Sequence, residues 1–311
     1  MTLAILCSGQ GLQGPQSFAL TEDAPQAEAL FAQATRLLGS DPRALVRSTE
    51  TASLHRNRTG QILCVLQALA AAAALRKVWP ARLIVAGYSV GEVAAWSVAG
   101  LVEPAIALDL AAERAEAMDA ASREHDGLLF VRGLSRAAIG VLCARYDAAV
   151  AIVNPGDGYV LGGDRLEGLA EEARQAGAAR VTRLAIAVAS HTPRLESAST
   201  TFRQRLARIR VPSRPPPGIR LLSGIDGSAV LDTQSGLDKL AAQIAQTVQW
   251  EACLESAVEA GATVFLELGP GRALAEMAAG AHRGIASRSL DDFETLQGAR
   301  TWLARQLADG G

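Results

Sequence analysis

Short apolar runs at residues 3–7, 83–87 and 263–268 alternate with longer segments at 26–38, 59–78 and 104–118. The short runs have the length and composition of strands buried on both faces, and the longer ones carry apolar residues at helical spacing. That alternation predicts a parallel sheet covered by helices, an α/β architecture. Pro104 fits the first turn of its helix, where a missing N–H costs nothing, and Leu108, Ala111, Ala112, Ala115 and Met118 follow on one face. Arg114 therefore projects from the middle of that helix.

Between about 124 and 188 the rhythm changes. Strand 128–132, helix 135–146 and strand 148–153 lead into the turn Asn154-Pro155-Gly156-Asp157-Gly158, and strand 159–161, helix 166–175 and strand 180–184 follow. The order βαββαβ is that of a ferredoxin-like unit. It predicts a small domain at 124–188 inserted into a larger body made of 1–123 and 189–311. Beyond it a helix is expected at 193–206, and the prolines at 212–217 predict a rigid extended connection.

Composition narrows the function classes. A chain of 311 residues, 49% hydrophobic and 20% charged with net charge -2, describes a soluble globular protein with a sizeable core and no basic footprint for nucleic acid. Residues 3–7 carry no basic leader, so a signal peptide is not expected. The apolar run at 62–75 is interrupted by Gln67 and rich in alanine, which favours a core helix over a membrane span. The cysteines, Cys7, Cys64, Cys143 and Cys253, are far apart with no C-x-x-C spacing. A reducing cytoplasm with no structural metal is the expectation.

The sharpest chemical signal is Val85-Ala86-Gly87-Tyr88-Ser89-Val90-Gly91-Glu92, where an apolar strand runs through G-x-S-x-G into a helix. A nucleophile elbow needs this pattern because the serine sits on a strained turn and the flanking glycines let strand and helix pass closely. A chance match in a chain with 29 glycines is the bland alternative, and the strand and helix on either side weigh against it. A serine hydroxyl needs a base, and the histidines are His55, His125, His191 and His282. His55, His125 and His282 read as solvated surface residues. His191 follows an apolar, strand-like run at 184–189 and precedes Thr192-Pro193, a helix start. A strand end facing a cleft is where an α/β enzyme places its base, although a structural histidine fits that position equally well.

Ser8-Gly9-Gln10-Gly11, the Gly87 to Glu92 elbow, Arg114, Ser190-His191, Val248-Gln249-Trp250 and Glu267-Leu268-Gly269-Pro270-Gly271 occur in the order found in malonyl-CoA:acyl-carrier-protein transacylases. The chain resembles that family over nearly its whole length. The resemblance implies an α/β-hydrolase-like domain with a ferredoxin-like insertion. It implies that Ser89 is acylated, that His191 takes and returns its proton, and that the backbone N–H groups of Gln10 and Val90 form the oxyanion hole. Arg114 would hold the malonyl carboxylate, and Gln249 would orient His191 through its backbone carbonyl. Malonyl-CoA would be the donor and the prosthetic thiol of an acyl carrier protein the acceptor, with no bound cofactor.

The sequence departs from the common elbow at Tyr88 and Val90, where the family has His and Leu, and has Val188 and Ala189 before Ser190. The elbow, Gly60-Gln61-Ile62-Leu63-Cys64 and Arg288-Ser289-Leu290-Asp291-Asp292 resemble more closely the transacylase subunit of malonate decarboxylase, whose acceptor is a small carrier subunit. Fatty-acid or polyketide synthesis is the alternative setting. A serine hydrolase is the enzymatic rival, against which stand Arg114 and the lack of an evident acid for His191. A non-catalytic carrier-docking subunit is the third class. Arg56 and Arg58 read as solvated loop residues rather than phosphate contacts.

Overall fold

The computed structural model describes residues 1–48 and 50–308, so position 49 and the last three positions of the expected large body lie outside the described residues. In chain order the strands are β1 (Leu3–Cys7), β2 (Leu83–Gly87), β3 (Gly127–Arg132), β4 (Ala149–Asn154), β5 (Gly158–Gly163), β6 (Arg180–Arg183), β7 (Ile219–Leu221), β8 (Val248–Gln249), β9 (Val264–Leu268) and β10 (Ala286–Ser289). One sheet has the order β10-β9-β1-β2-β7, parallel throughout. The other has the order β6-β3-β5-β4-β8 and is antiparallel except where β8 joins β4.

All residues of β1, β2 and β9 are buried, which is why these strands are unbroken apolar runs rather than alternating ones. Their two faces enter different cores. Leu3, Ile5, Val85 and Leu266 pack into the cluster that holds helices Asn57–Leu75, Gly91–Val98 and Pro104–Ala121. Ala4, Leu6, Ala86 and Phe265 pack with Leu128, Ile152 and Val160 of the second sheet and with helix Trp250–Glu259. The run Asn57–Val78 is long and apolar enough to cross a membrane by length and composition, but 72% of its most hydropathic window is buried in the molecule. It is a core helix, flanked by helices Glu28–Leu38, Gly91–Val98 and Pro104–Ala121.

From 127 to 183 the elements follow the expected βαββαβ order, and Ser135 caps helix Arg136–Tyr146 by accepting from the Ala138 N–H. The second sheet is not confined to that segment, because Val248-Gln249 adds a fifth, parallel strand from the other part of the chain. This strand ties the two sheets together through the backbone. The apolar run 184–189 forms no strand, and the chain reaches His191 through irregular backbone.

The parallel strands end side by side at one edge, the position where open α/β sheets hold their ligands. Ser8 N donates to Leu268 O at 3.0 Å and Tyr88 N donates to Cys7 O at 2.9 Å, so the loops after β1, β2 and β9 converge there. Gly91 makes that convergence possible. A Cβ at Gly91 would lie 2.1 Å from Cys7 O and 2.6 Å from Ser8 O, both backbone atoms in the central strand and its loop. Gly91→Ala should therefore lower unfolding free energy by at least about 2 kcal/mol, measured by urea denaturation. Gly140, inside helix Arg136–Tyr146 with nothing near its notional Cβ, is the control. Gly140→Ala should raise stability by about 0.5 to 1 kcal/mol.

Candidate active site

β2 ends at Gly87 and helix Gly91–Val98 starts four residues later, leaving Tyr88, Ser89 and Val90 to make the turn. Ser89 adopts a positive φ of 56°, a strained conformation for a residue with a side chain. The flanking glycines are sterically required, since a Cβ at Gly87 would come within 2.2 Å of the Glu92 nitrogen. The turn lifts the serine hydroxyl out of the strand edge toward His191, whose Nε2 lies 2.7 Å from Ser89 Oγ.

His191 is 1% exposed and also has a positive φ, 62°. Its Nδ1 lies 2.6 Å from the carbonyl oxygen of Gln243, and its backbone N donates to Ile244 O at 2.8 Å. A carbonyl can only accept, so Nδ1 carries the proton and Nε2 keeps its lone pair for the serine hydroxyl. Burial and the nearby Arg114 charge push the imidazole down to about 3, with the Gln243 carbonyl opposing them. The ring is therefore neutral and able to accept a proton at any ordinary pH.

The carbonyl that orients His191 belongs to Gln243 and not to Gln249. Gln249 lies in β8, its N–H donating to Gly224 O at 2.7 Å, and it pairs with Val153 of β4 before capping helix Trp250–Glu259. Gln243 is the C-cap of helix Thr233–Ala242, and the last carbonyls of a helix have no intrahelical partner. That orphan carbonyl is what the imidazole N–H meets.

Arg114 is fully buried. Nη1 donates to Gln61 Oε1 at 2.7 Å and Nη2 to Gln243 Oε1 at 3.3 Å, while Nε has no partner. Among the described residues no carboxylate oxygen lies within ion-pair distance of the guanidinium. Burial lowers its pKa to about 10, with Glu92 opposing, so it remains charged at neutral pH. Gln61 and Gln243 are thus site residues that the sequence reading did not assign, though Gln61 falls in a segment it singled out.

The Gln10 and Val90 backbone N–H groups have no acceptor among the described residues. Both flank Ser89: Val90 follows it at the helix N-terminus, and the loop carrying Gln10 lies against the elbow because Gly9 has no side chain. A Cβ at Gly9 would fall 2.9 Å from Tyr88 O. Glu267 fastens this loop from below, Oε1 accepting from Ser8 Oγ at 2.7 Å and Oε2 from Ala275 N at 2.8 Å. Two free N–H groups and a helix N-terminus thus lie in the segments that meet at the serine, the kind of donors that can stabilise a developing oxyanion.

A cavity of about 640 Å³ opens between the sheets, lined by Gln10, Tyr88, Phe130, Asn154 and Met277 among others. Ser89, His191 and Arg114 are not in its wall, which includes Tyr88, the residue before the serine. His282, read from sequence as a surface residue, is half-buried at this cavity and stacks on Phe265 at 6.4 Å. His55 is also half-buried, and His125 is exposed as expected. Arg58 has a structural role, donating to Glu116 and to Leu37 O at 2.8 Å each.

Residues 6–294 match the model of the acyl transferase domain family. A malonyl CoA-acyl carrier protein transacylase of Mycobacterium tuberculosis strain H37Rv is 30% identical over 293 residues, covering 93% of this chain and 96% of that protein. A crystal structure of MCAT from Mycobacterium tuberculosis superposes with a TM-score of 0.88 at 29% identity, covering 98% of this chain and all of the other. An acyl-carrier-protein S-malonyltransferase from Burkholderia pseudomallei also gives 0.88, at 27% identity over 97% of this chain and all of its own. Fold, elbow and sequence agree: the chain belongs to the acyl transferase domain family, among the malonyl-CoA:acyl-carrier-protein transacylases.

Proposed function

We propose that this enzyme moves a malonyl group from malonyl-CoA to the thiol of an acyl carrier protein through a malonyl ester on Ser89. The observation that carries the reading is the Ser89 to His191 contact of 2.7 Å beside a buried arginine that has no carboxylate partner among the described residues. His191 Nε2 takes the hydroxyl proton as Ser89 Oγ attacks the thioester carbonyl, and the Gln10 and Val90 N–H groups receive the oxyanion. Collapse expels the CoA thiolate, which recovers the proton from His191. The carrier thiol then gives its proton to His191 and attacks the ester carbonyl; collapse breaks the bond to Ser89 Oγ, which takes the proton back from His191, and the malonyl group leaves as the carrier thioester. Arg114 holds the malonyl carboxylate in both halves.

The cavity between the sheets supports the same reading, since it can take the pantetheine arm that both thioesters share. The division into a catalytic body, 1–123 with 189–311, and an inserted unit, 124–188, belongs to this proposal. So does a cytoplasmic setting, which suits the unpaired, buried cysteines. A second reading is the transacylase subunit of malonate decarboxylase, favoured by the Gly-Tyr-Ser-Val-Gly-Glu elbow and the 60–64 and 288–292 segments. The acceptor separates the two: a carrier bearing phosphopantetheine against one bearing phosphoribosyl-dephospho-CoA. Faster discharge of the malonyl-enzyme onto the second carrier would select the decarboxylase setting.

Intact-mass analysis after incubation with malonyl-CoA should show a single malonyl adduct that Ser89→Ala abolishes. An unchanged adduct in that variant would remove the serine mechanism. A charge-assisted pair contributes about 2 kcal/mol, so Arg114→Ala should cut the preference for malonyl over acetyl acylation by roughly 30-fold. Equal preferences in the two proteins would mean that the carboxylate binds elsewhere.

The depressed basicity of His191 sets the pH profile. Protonation would remove the base, and in this environment it begins far below the ordinary imidazole value of 6.5. Single-turnover acylation should therefore stay level from about pH 8 down to about pH 5. The Arg114 cation disfavours a second positive charge, so its removal raises the His191 pKa and should move the acid limb of Arg114→Ala upward. A limb near the ordinary value in the unmodified enzyme would show that His191 is solvated during turnover.

A further inference from the structure

Glu92 lies three residues after the nucleophile, is 1% exposed, and takes no part in the steps above. Its Oε2 accepts from the Gly224 N–H at 3.0 Å and from Gln243 Nε2. Gln243 turns its other amide atom, Oε1, to Arg114 Nη2 at 3.3 Å and gives its backbone carbonyl to His191. One glutamine thus touches both the base and the guanidinium, and its side chain is anchored on Glu92. The approach is close: a Cβ at Gly224 would lie 2.7 Å from Glu92 Oε2 and 2.9 Å from Gln243 Nε2.

A carboxamide offers an oxygen and an NH2 group of nearly equal shape, so its neighbours decide which way it faces. A carboxylate oxygen accepts and a guanidinium donates. Between the two, only one orientation of the Gln243 amide makes both bonds; the flipped one sets NH2 against guanidinium and carbonyl against carboxylate. In a site as buried as this, neither loss is repaired by solvent.

We propose that Glu92 is a positioning residue for the acyl pocket: by fixing the Gln243 amide it aims Arg114 at the acyl carboxylate and so sets the preference for charged acyl groups. The inference rests on the reading that Arg114 receives that carboxylate. Burial raises the Glu92 carboxyl to about 7, against the hydrogen bonds from Gly224 and Gln243 and the Arg114 charge. A proton on Oε1, which has no partner, leaves Oε2 accepting, so the amide is held in either state.

The test measures acylation by malonyl-CoA and by acetyl-CoA across a substrate series. An unmodified enzyme that forms no malonyl adduct would sink the parent reading and is checked first. With that adduct in hand, Glu92→Leu should lower the malonyl-to-acetyl ratio by about tenfold, mainly through a higher KM for malonyl-CoA, with acetyl transfer changed far less. Glu92→Gln, whose oxygen can occupy the Oε2 position, should recover most of the ratio. Gln243→Met keeps the carbonyl for His191 but removes both amide links, and should match Glu92→Leu even if that variant does not fold. An unchanged ratio in Gln243→Met, a Glu92→Leu enzyme in which both acylations fall together, or no recovery in Glu92→Gln would each overturn the proposal.

Discussion

Removing a guanidinium from water costs several kcal/mol, and Arg114 regains only part of that through two glutamine oxygens. Much of the site follows from this burden. Gln61 and Gln243 are themselves fully buried, so each must turn an oxygen toward the cation and find an acceptor for its own NH2. Gln61 uses Asn57 Oδ1 at 2.8 Å, and Gln243 uses Glu92. The charge is thereby spread over helices Asn57–Leu75, Gly91–Val98 and Pro104–Ala121, whose packing fixes the acyl pocket. A pocket that carries an uncompensated positive charge discriminates between acyl groups by leaving that charge unpaired when a neutral group enters.

The two reacting side chains rest on strained backbone. Ser89 and His191 both have positive φ, and neither is glycine. Such conformations cost of order 1 to 3 kcal/mol each and persist when their surroundings over-determine them. At Ser89 the surroundings are the close crossing of Gly91 over Cys7 and Ser8. At His191 they are the paired contacts with Gln243 O and Ile244 O, which hold ring and backbone to the same helix end. Ser89 and His191 therefore meet without either side chain having to search for the other.

Strands buried on both faces announce themselves, and β1 and β2 lie where their apolar runs do. The elbow was equally legible, because a glycine on each side of Ser89 states the geometry in the residue type itself. Gln249 marks where legibility ended. Whether a carbonyl is free depends on whether its residue pairs in a ladder or ends a helix, and Val248-Gln249 enters a ladder with β4, about a hundred residues away, that no local pattern encodes. The run 184–189 failed for a related reason: its apolar residues serve the junction of the two cores, so they look like a strand without pairing as one.

Transfer and hydrolysis differ only in which nucleophile reaches the ester, so the distribution of charge in the acyl-enzyme matters. Burial, and after it the Arg114 charge, holds the His191 imidazole low. In the proposed transfer a malonyl carboxylate beside the guanidinium offsets that second contribution, while the larger effect of burial remains. An acetyl group brings no such offset. Under that proposal the carboxylate acts twice, as the group recognised and as a charge that eases protonation of His191, and both effects pass through one arginine.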